Sequence, residues 1–113
     1  MFDQGDIVLV HWPLPGGDKI ETKMRPAIVI SNKKLNSTQD IILAQITSNQ
    51  RNDKFTFKIY SNDLSIALPK SSEVRCHKIF TTEKRAIIKT ISQLESSKLA
   101  QLIVKICRFI EPA

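Results

Sequence analysis

Cysteine, histidine and glycine are scarce in this 113-residue sequence, which holds two, two and three of them. Cys76 falls inside a predicted strand and Cys107 inside a predicted helix, without close spacing, so neither a disulfide framework nor a zinc knuckle follows. His11 and His77 are the only histidines, and no carboxylates stand near them at ligand spacing, so a metal site has no support. Long apolar runs are missing too. Stretches such as "AIVI" and "IILA" fall far below the roughly 20 residues of a membrane span, and no basic region followed by an apolar one opens the chain. A cytoplasmic protein is expected, with no membrane contact.

Acidic residues are in the minority: 11 Asp and Glu stand against 17 Lys and Arg, a formal net charge of +6. Such a balance favours an anionic partner, nucleic acid first and an acidic protein second, because fields of opposite sign steer and hold polyanions. Hydrophobic content of 42% and charged content of 25% are ordinary for a globular chain. The length fits a single domain over residues 1–113 and excludes a two-domain enzyme.

Punctuation and periodicity divide the chain. "GDIVLVHW" reads as a strand, and "PLPGGDKIETKM" as an exposed loop. "RPAIVIS" is a strand with Pro26 tolerated at its start. After the polar turn "NKKLNSTQ" comes "DIILAQITS", whose nearly continuous apolar run implies burial on both faces or in a small barrel. "FTFKIY" alternates, "LSIALPKS" is a loop, and "EVRCHKIFTT" is a strand whose period of two places Val74 and Cys76 on one face and Arg75, His77 and Ile79 on the other. "AIIKTI" is the last strand. Ser92 and Glu95 have the spacing of a capping box, and Leu99, Leu102, Ile103, Ile106 and Ile110 then form the apolar stripe of a terminal helix. The fold class is mainly β (α+β): a small barrel of about five to seven strands with a C-terminal amphipathic helix.

Within this layout adjacent side chains on a strand point apart, so Cys76 and His77 make a poor chelate and a poor nucleophile–base couple. Cys76 is better read as a small buried hydrophobe. Arg25 opens one strand, Thr47 and Ser48 end the next, and Arg75 and His77 share a face of a third. Guanidinium forks suit phosphate, and hydroxyls both donate and accept. Singly, each of these residues has an ordinary reading as a surface charge or turn former.

Taken together, "GDIVLV", "RPAIVIS", "QITS" and "LPKSSEVRCHKIFT" resemble, in order and at compatible spacing, the motifs of the PemK/MazF family of toxin ribonucleases. The resemblance implies an SH3-like barrel, usually a homodimer, that cuts single-stranded RNA without metal or cofactor and is held by a cognate acidic antitoxin. It also implies catalytic roles for Arg25, Thr47 and Arg75, with Ser48 adjacent. Where the family motif V-R-C-D carries aspartate, this chain has His77. Imidazole titrates near neutral pH and can move a proton, so His77 either replaces the carboxylate or marks a weakened homologue. Lys19 and Lys23 are expected to meet phosphates, and Trp12 to stack on a base or to pack in the core. A noncatalytic nucleic-acid binder, or a topoisomerase-inhibiting relative on the same barrel, is the alternative.

Overall fold

The computed structural model describes residues 1–13 and 22–112, without the side chains of residues 12, 13 and 22. Apolar alternation and turn residues generate six strands and two helices among them: β1 (Asp6–Pro13), β2 (Thr22–Val29), α1 (Lys33–Asn36), β3 (Asp40–Thr47), β4 (Thr56–Ile59), β5 (Ser72–Glu83), β6 (Ile87–Gln93) and α2 (Ser96–Arg108). The strands form one antiparallel sheet in the order β4-β5-β3-β2-β1-β6.

The sheet is buried on both faces, as the continuous apolar runs predict. Ile7, Ile28, Ala44, Ile46, Val74 and Cys76 pack with Leu102 and Ile106 of α2. Their sequence neighbours Val8, Ala27, Val29 and Leu43 point the other way, into a second cluster flanked by Phe2, Phe80 and Ile87. Each fully buried Val, Leu or Ile contributes about 1.5–3 kcal/mol, so both layers are needed to hold so small a chain.

Closure of the barrel is by a loop. Leu64 bridges Leu94, Ser65 N–H donates to the Gln93 carbonyl at 3.0 Å, and Glu95 N–H to that of Asp63 at 2.7 Å. The segment after β4 thereby meets the end of β6 at the opposite edge of the sheet.

Four local expectations are corrected. Thr22, Lys23 and Met24 belong to β2, paired with Pro13, Trp12 and His11, so the preceding loop is shorter than the turn residues suggested. Ser92 is not a helix cap: its hydroxyl donates to the Ile66 carbonyl, and Glu95 is the N-cap, accepting from the N–H groups of Ser97 and Lys98. A carboxylate at the positive end of the helix dipole does the work that was assigned to the serine. Ile110 lies beyond α2 and is exposed, outside the apolar stripe. Finally, the regular alternation expected through Arg75 and His77 is broken, as described next. Among the described residues no helix is long and apolar enough to cross a membrane.

Candidate active site

Two irregularities fall at the level of Gln45. β2 and β3 pair only from Ala27–Gln45 to Val29–Leu43; beyond, Ile46 and Thr47 leave β2 and pair with Val74 and Glu73. Pro26 stands at the divergence, and with no N–H it could not extend a ladder toward β3. On the other side of β3, Ala44 pairs Ile79 while Ile46 pairs Val74, so residues 75–78 of β5 oppose Gln45 alone. Bulges of this kind re-aim side chains, and here Val74, Arg75 and Cys76 are all buried while His77, Lys78 and Ile79 are all exposed. A period-of-two reading cannot anticipate that.

The divergence opens a cleft of about 440 Å³ in which Lys23, Arg25, Thr47, Ser48, Lys70 and Ser72 meet. Arg25 is partly buried, and its Nε–H is cut off from solvent without a hydrogen-bond partner among the described residues. An orphaned buried donor is uncommon in a native fold and points to a missing acceptor. Thr47 Oγ1 accepts the Asn49 N–H at 3.1 Å, which fixes the hydroxyl and leaves its proton available.

Thr47 also borders a second recess, of about 370 Å³, with Gln45, Arg51, Asp53, Arg75 and Lys78. Arg75 Nη1 donates to Asp53 Oδ1 at 3.0 Å and to Thr56 Oγ1 at 2.9 Å, and Nη2 donates to Asp53 Oδ2 at 2.8 Å. Beneath them lies Glu73, fully buried, whose Oε1 accepts the Arg51 N–H at 2.8 Å and stands 3.7 Å from Arg75 Nη1. Its Oε2 has no hydrogen-bond partner among the described residues. The bonds from Arg75 hold the Asp53 carboxyl well below the usual carboxylate range against the opposing effect of burial, and Asp53 raises the Arg75 guanidinium in return.

His77 lies elsewhere. Its ring stacks on Phe55 at 4.2 Å between centroids, tilted by 35°, and Phe55 in turn meets Phe109. Burial first, then the charges of Arg75 and Lys78, lower its affinity for a proton. It lines neither recess, and its ring nitrogens make no hydrogen bond among the described residues. Cys76 is in the core, where burial pushes its thiol up and leaves it unreactive. Lys19 lies outside the described residues; of Trp12 only the backbone is described, paired with Lys23.

A third hollow, of about 500 Å³, adjoins the first across Leu68–Ser72 and brings Lys58 and Tyr60 to the same surface. Along the three hollows stand Lys23, Arg25, Arg51, Lys58, Lys70, Arg75 and Lys78, with Asp53 the only carboxylate lining them among the described residues. Among the described residues no three His, Cys, Asp or Glu side chains are grouped to hold a metal ion. Sequence reasoning missed Arg51, Asp53 and Glu73. Asp53 stands 22 positions before Arg75, in a polar stretch with no motif to mark it.

A curled antiparallel sheet, one packed terminal helix and a basic cleft at the divergence of two strands define a small barrel protein suited to polyanions. Residues 3–110 match the family of PemK-like, MazF-like toxins of type II toxin–antitoxin systems, and the chain belongs to that family. Solved structures share the fold. A MazE–MazF complex from Deinococcus radiodurans is 19% identical, with a TM-score of 0.77 over 96% of this chain and 94% of that one. An endoribonuclease in complex with its cognate antitoxin, from mycobacterial species, is 16% identical, with a TM-score of 0.70 over 99% and 100%. The Mycobacterium tuberculosis toxin MazF-mt6 is 19% identical, with a TM-score of 0.69 over 91% and 96%. No curated protein matches the chain by sequence.

Proposed function

We propose that this chain is the endoribonuclease toxin of a toxin–antitoxin pair, cutting single-stranded RNA, mRNA included, at selected sequences. One observation carries the reading: Arg25, with its orphaned buried Nε–H, converges with Thr47 and Ser48 where β2 leaves β3. A phosphate oxygen is an acceptor of the charge and shape that this donor lacks.

The chemistry follows from the substrate. A ribose 2′-hydroxyl is already held beside the adjacent phosphorus, so the enzyme need supply neither nucleophile nor metal. The O2′–P bond forms and the P–O5′ bond breaks. One proton leaves O2′ for a base, another is delivered to O5′, and the products are a 2′,3′-cyclic phosphate and a 5′-hydroxyl. In this reading Arg25 and Arg75 offset the extra negative charge of the phosphorane, while Thr47 and Ser48 orient the phosphate. His77 lines neither recess; exposed next to Lys78 of the second one, and with ring nitrogens unbonded among the described residues, it moves a proton once the RNA strand extends from the recess to its ring. Lys19, Lys23 and Trp12 hold flanking nucleotides.

The same basic hollows suit the acidic segment of an antitoxin, and the solved complexes of family members with their antitoxins support a protein partner. The working unit is a single 1–113 domain, paired as a homodimer in the cytoplasm. The test is to incubate purified protein with a long RNA, and with DNA of the same sequence, in the presence of a chelator, and to map the ends. Discrete cuts in RNA alone, with 5′-hydroxyl ends, are expected. Intact RNA would favour the noncatalytic nucleic-acid binder or topoisomerase inhibitor on the same barrel.

A further inference from the structure

Among the described residues Asp53 is the one acidic side chain lining the hollows, and it is aimed at a cation that the proposed chemistry needs. The polyanion-binding surface thus contains a carboxylate where simple electrostatics would exclude one. Its hydrogen bonds explain what it does there.

Asp53 takes the terminal edge of the Arg75 guanidinium: Oδ1 accepts from Nη1 and Oδ2 from Nη2. The second Nη1 proton goes to Thr56 Oγ1. Of five guanidinium protons, two remain, the Nε–H and the second on Nη2. They lie side by side on one edge of the plane, a two-donor fork that matches two oxygens of a phosphate. Neither has a partner among the described residues, and Arg75 lines the recess that Thr47 borders.

Asp53 is itself held. Asn52, at φ 50°, turns the chain through the left-handed region that asparagine tolerates. Asp53 Oδ1 accepts the Phe55 N–H at 3.0 Å, and Thr56 Oγ1 lies 3.2 Å from both Asp53 Oδ1 and Glu73 Oε1. Arg75 is thus held by three hydrogen bonds on two sides, with its side chain 10% exposed, and one edge is left for a ligand.

We propose that Asp53 is a positioning residue of the ribonuclease site, clamping Arg75 end-on so that its Nε/Nη2 fork faces the scissile phosphate. Delivered from the β3–β4 connection, it is the carboxylate partner of Arg75 in a chain that has histidine at position 77. The inference rests on the ribonuclease reading above. It implies that Asp53 lowers ground-state attraction for phosphate, by neutralising Arg75, in exchange for a fixed geometry that counts in the transition state.

Asp53→Asn separates this role from turn formation, because an asparagine oxygen can still accept the Phe55 N–H while the amide nitrogen cannot accept from Nη2. The expected result is a folded variant whose kcat falls about 10- to 100-fold with KM unchanged or lower. A kcat within about twofold of wild type would overturn the proposal. In parallel, the Arg75 Nε–H resonance is followed by NMR in the wild-type protein as an uncleavable 2′-O-methyl oligoribonucleotide is added. That measurement needs no variant, and a marked shift on binding is expected. Cleavage of unmodified RNA without any movement of Arg75 Nε–H would overturn the Asp53 proposal and leave the ribonuclease reading standing. Movement without cleavage would overturn the ribonuclease reading and with it the catalytic role of Asp53, leaving the Arg75 fork as a phosphate contact only. Neither binding nor cleavage would overturn both.

Discussion

Replacing Arg25 by methionine removes the guanidinium while keeping an unbranched, apolar stem of similar reach. In the free protein the change deletes a buried Nε–H that has no acceptor among the described residues. An unsatisfied buried donor costs about 1–3 kcal/mol, so its removal, offset by imperfect packing of the thioether, leaves stability unchanged or raised by about 1 kcal/mol. For a domain of this size that corresponds to a melting temperature higher by roughly 4 °C. Cleavage should move the opposite way. Losing one preorganised donor to a developing oxyanion costs about 10²–10³ in kcat. Thermal melting and a fluorogenic RNA assay on the same preparation measure both. A variant that cuts within about threefold of wild type would refute the assignment. So would an activity loss matched by a large loss of stability, since Arg25 would then be part of the scaffold.

Glu73→Ala should act through the scaffold. It strips the acceptor from the Arg51 N–H and the Thr56 hydroxyl and removes a fully buried charge beside Arg75, costing about 3 kcal/mol, or roughly 10 °C in thermal melting. A change below about 2 °C would show that the buried network is not needed. If His77 is the base, its lowered proton affinity places the acidic limb of the kcat/KM profile below pH 6.5. The same shift makes this residue's contribution to stability present above pH 6.5 and lost as pH falls below it, because the unfolded chain then binds the proton first. His77→Ala should abolish that limb and cost about 10²–10⁴ in rate; an unchanged profile removes His77 from the mechanism. Gly5 has φ +96°, and a Cβ there would lie 3.0 Å from Leu99 Cδ2. Gly5→Ala should therefore cost about 1–3 kcal/mol, read by denaturant unfolding, and a neutral result would show that neither the backbone conformation at residue 5 nor the contact with Leu99 is needed.

Motif order and apolar runs made the strands, the terminal helix and the burial of β3 legible, and they named Arg25, Thr47, Ser48 and Lys23, which the fold gathers in one cleft. The geometry around Arg75 was not legible. A residue-by-residue period assumes an unbroken ladder, and the bulge at residues 75–78 separates Arg75 from His77 by local register alone. Asp53 joins Arg75 only because β4 and β5 pair, Thr56 opposite Arg75, a non-local fact that no spacing encodes. The Ser92–Glu95 pattern misled for a simpler reason: Ser92 satisfies Ile66 across the barrel seam, and Glu95 caps the helix alone.

In the proposed mechanism the 2′-hydroxyl of the substrate is the nucleophile at a phosphate held by Arg25 and Thr47. A single 2′-deoxy substitution at the nucleotide before the mapped cut tests it most directly. This one missing oxygen should abolish cleavage at that bond while binding of the oligonucleotide persists. Cleavage at the same bond in the deoxy-substituted strand would contradict it.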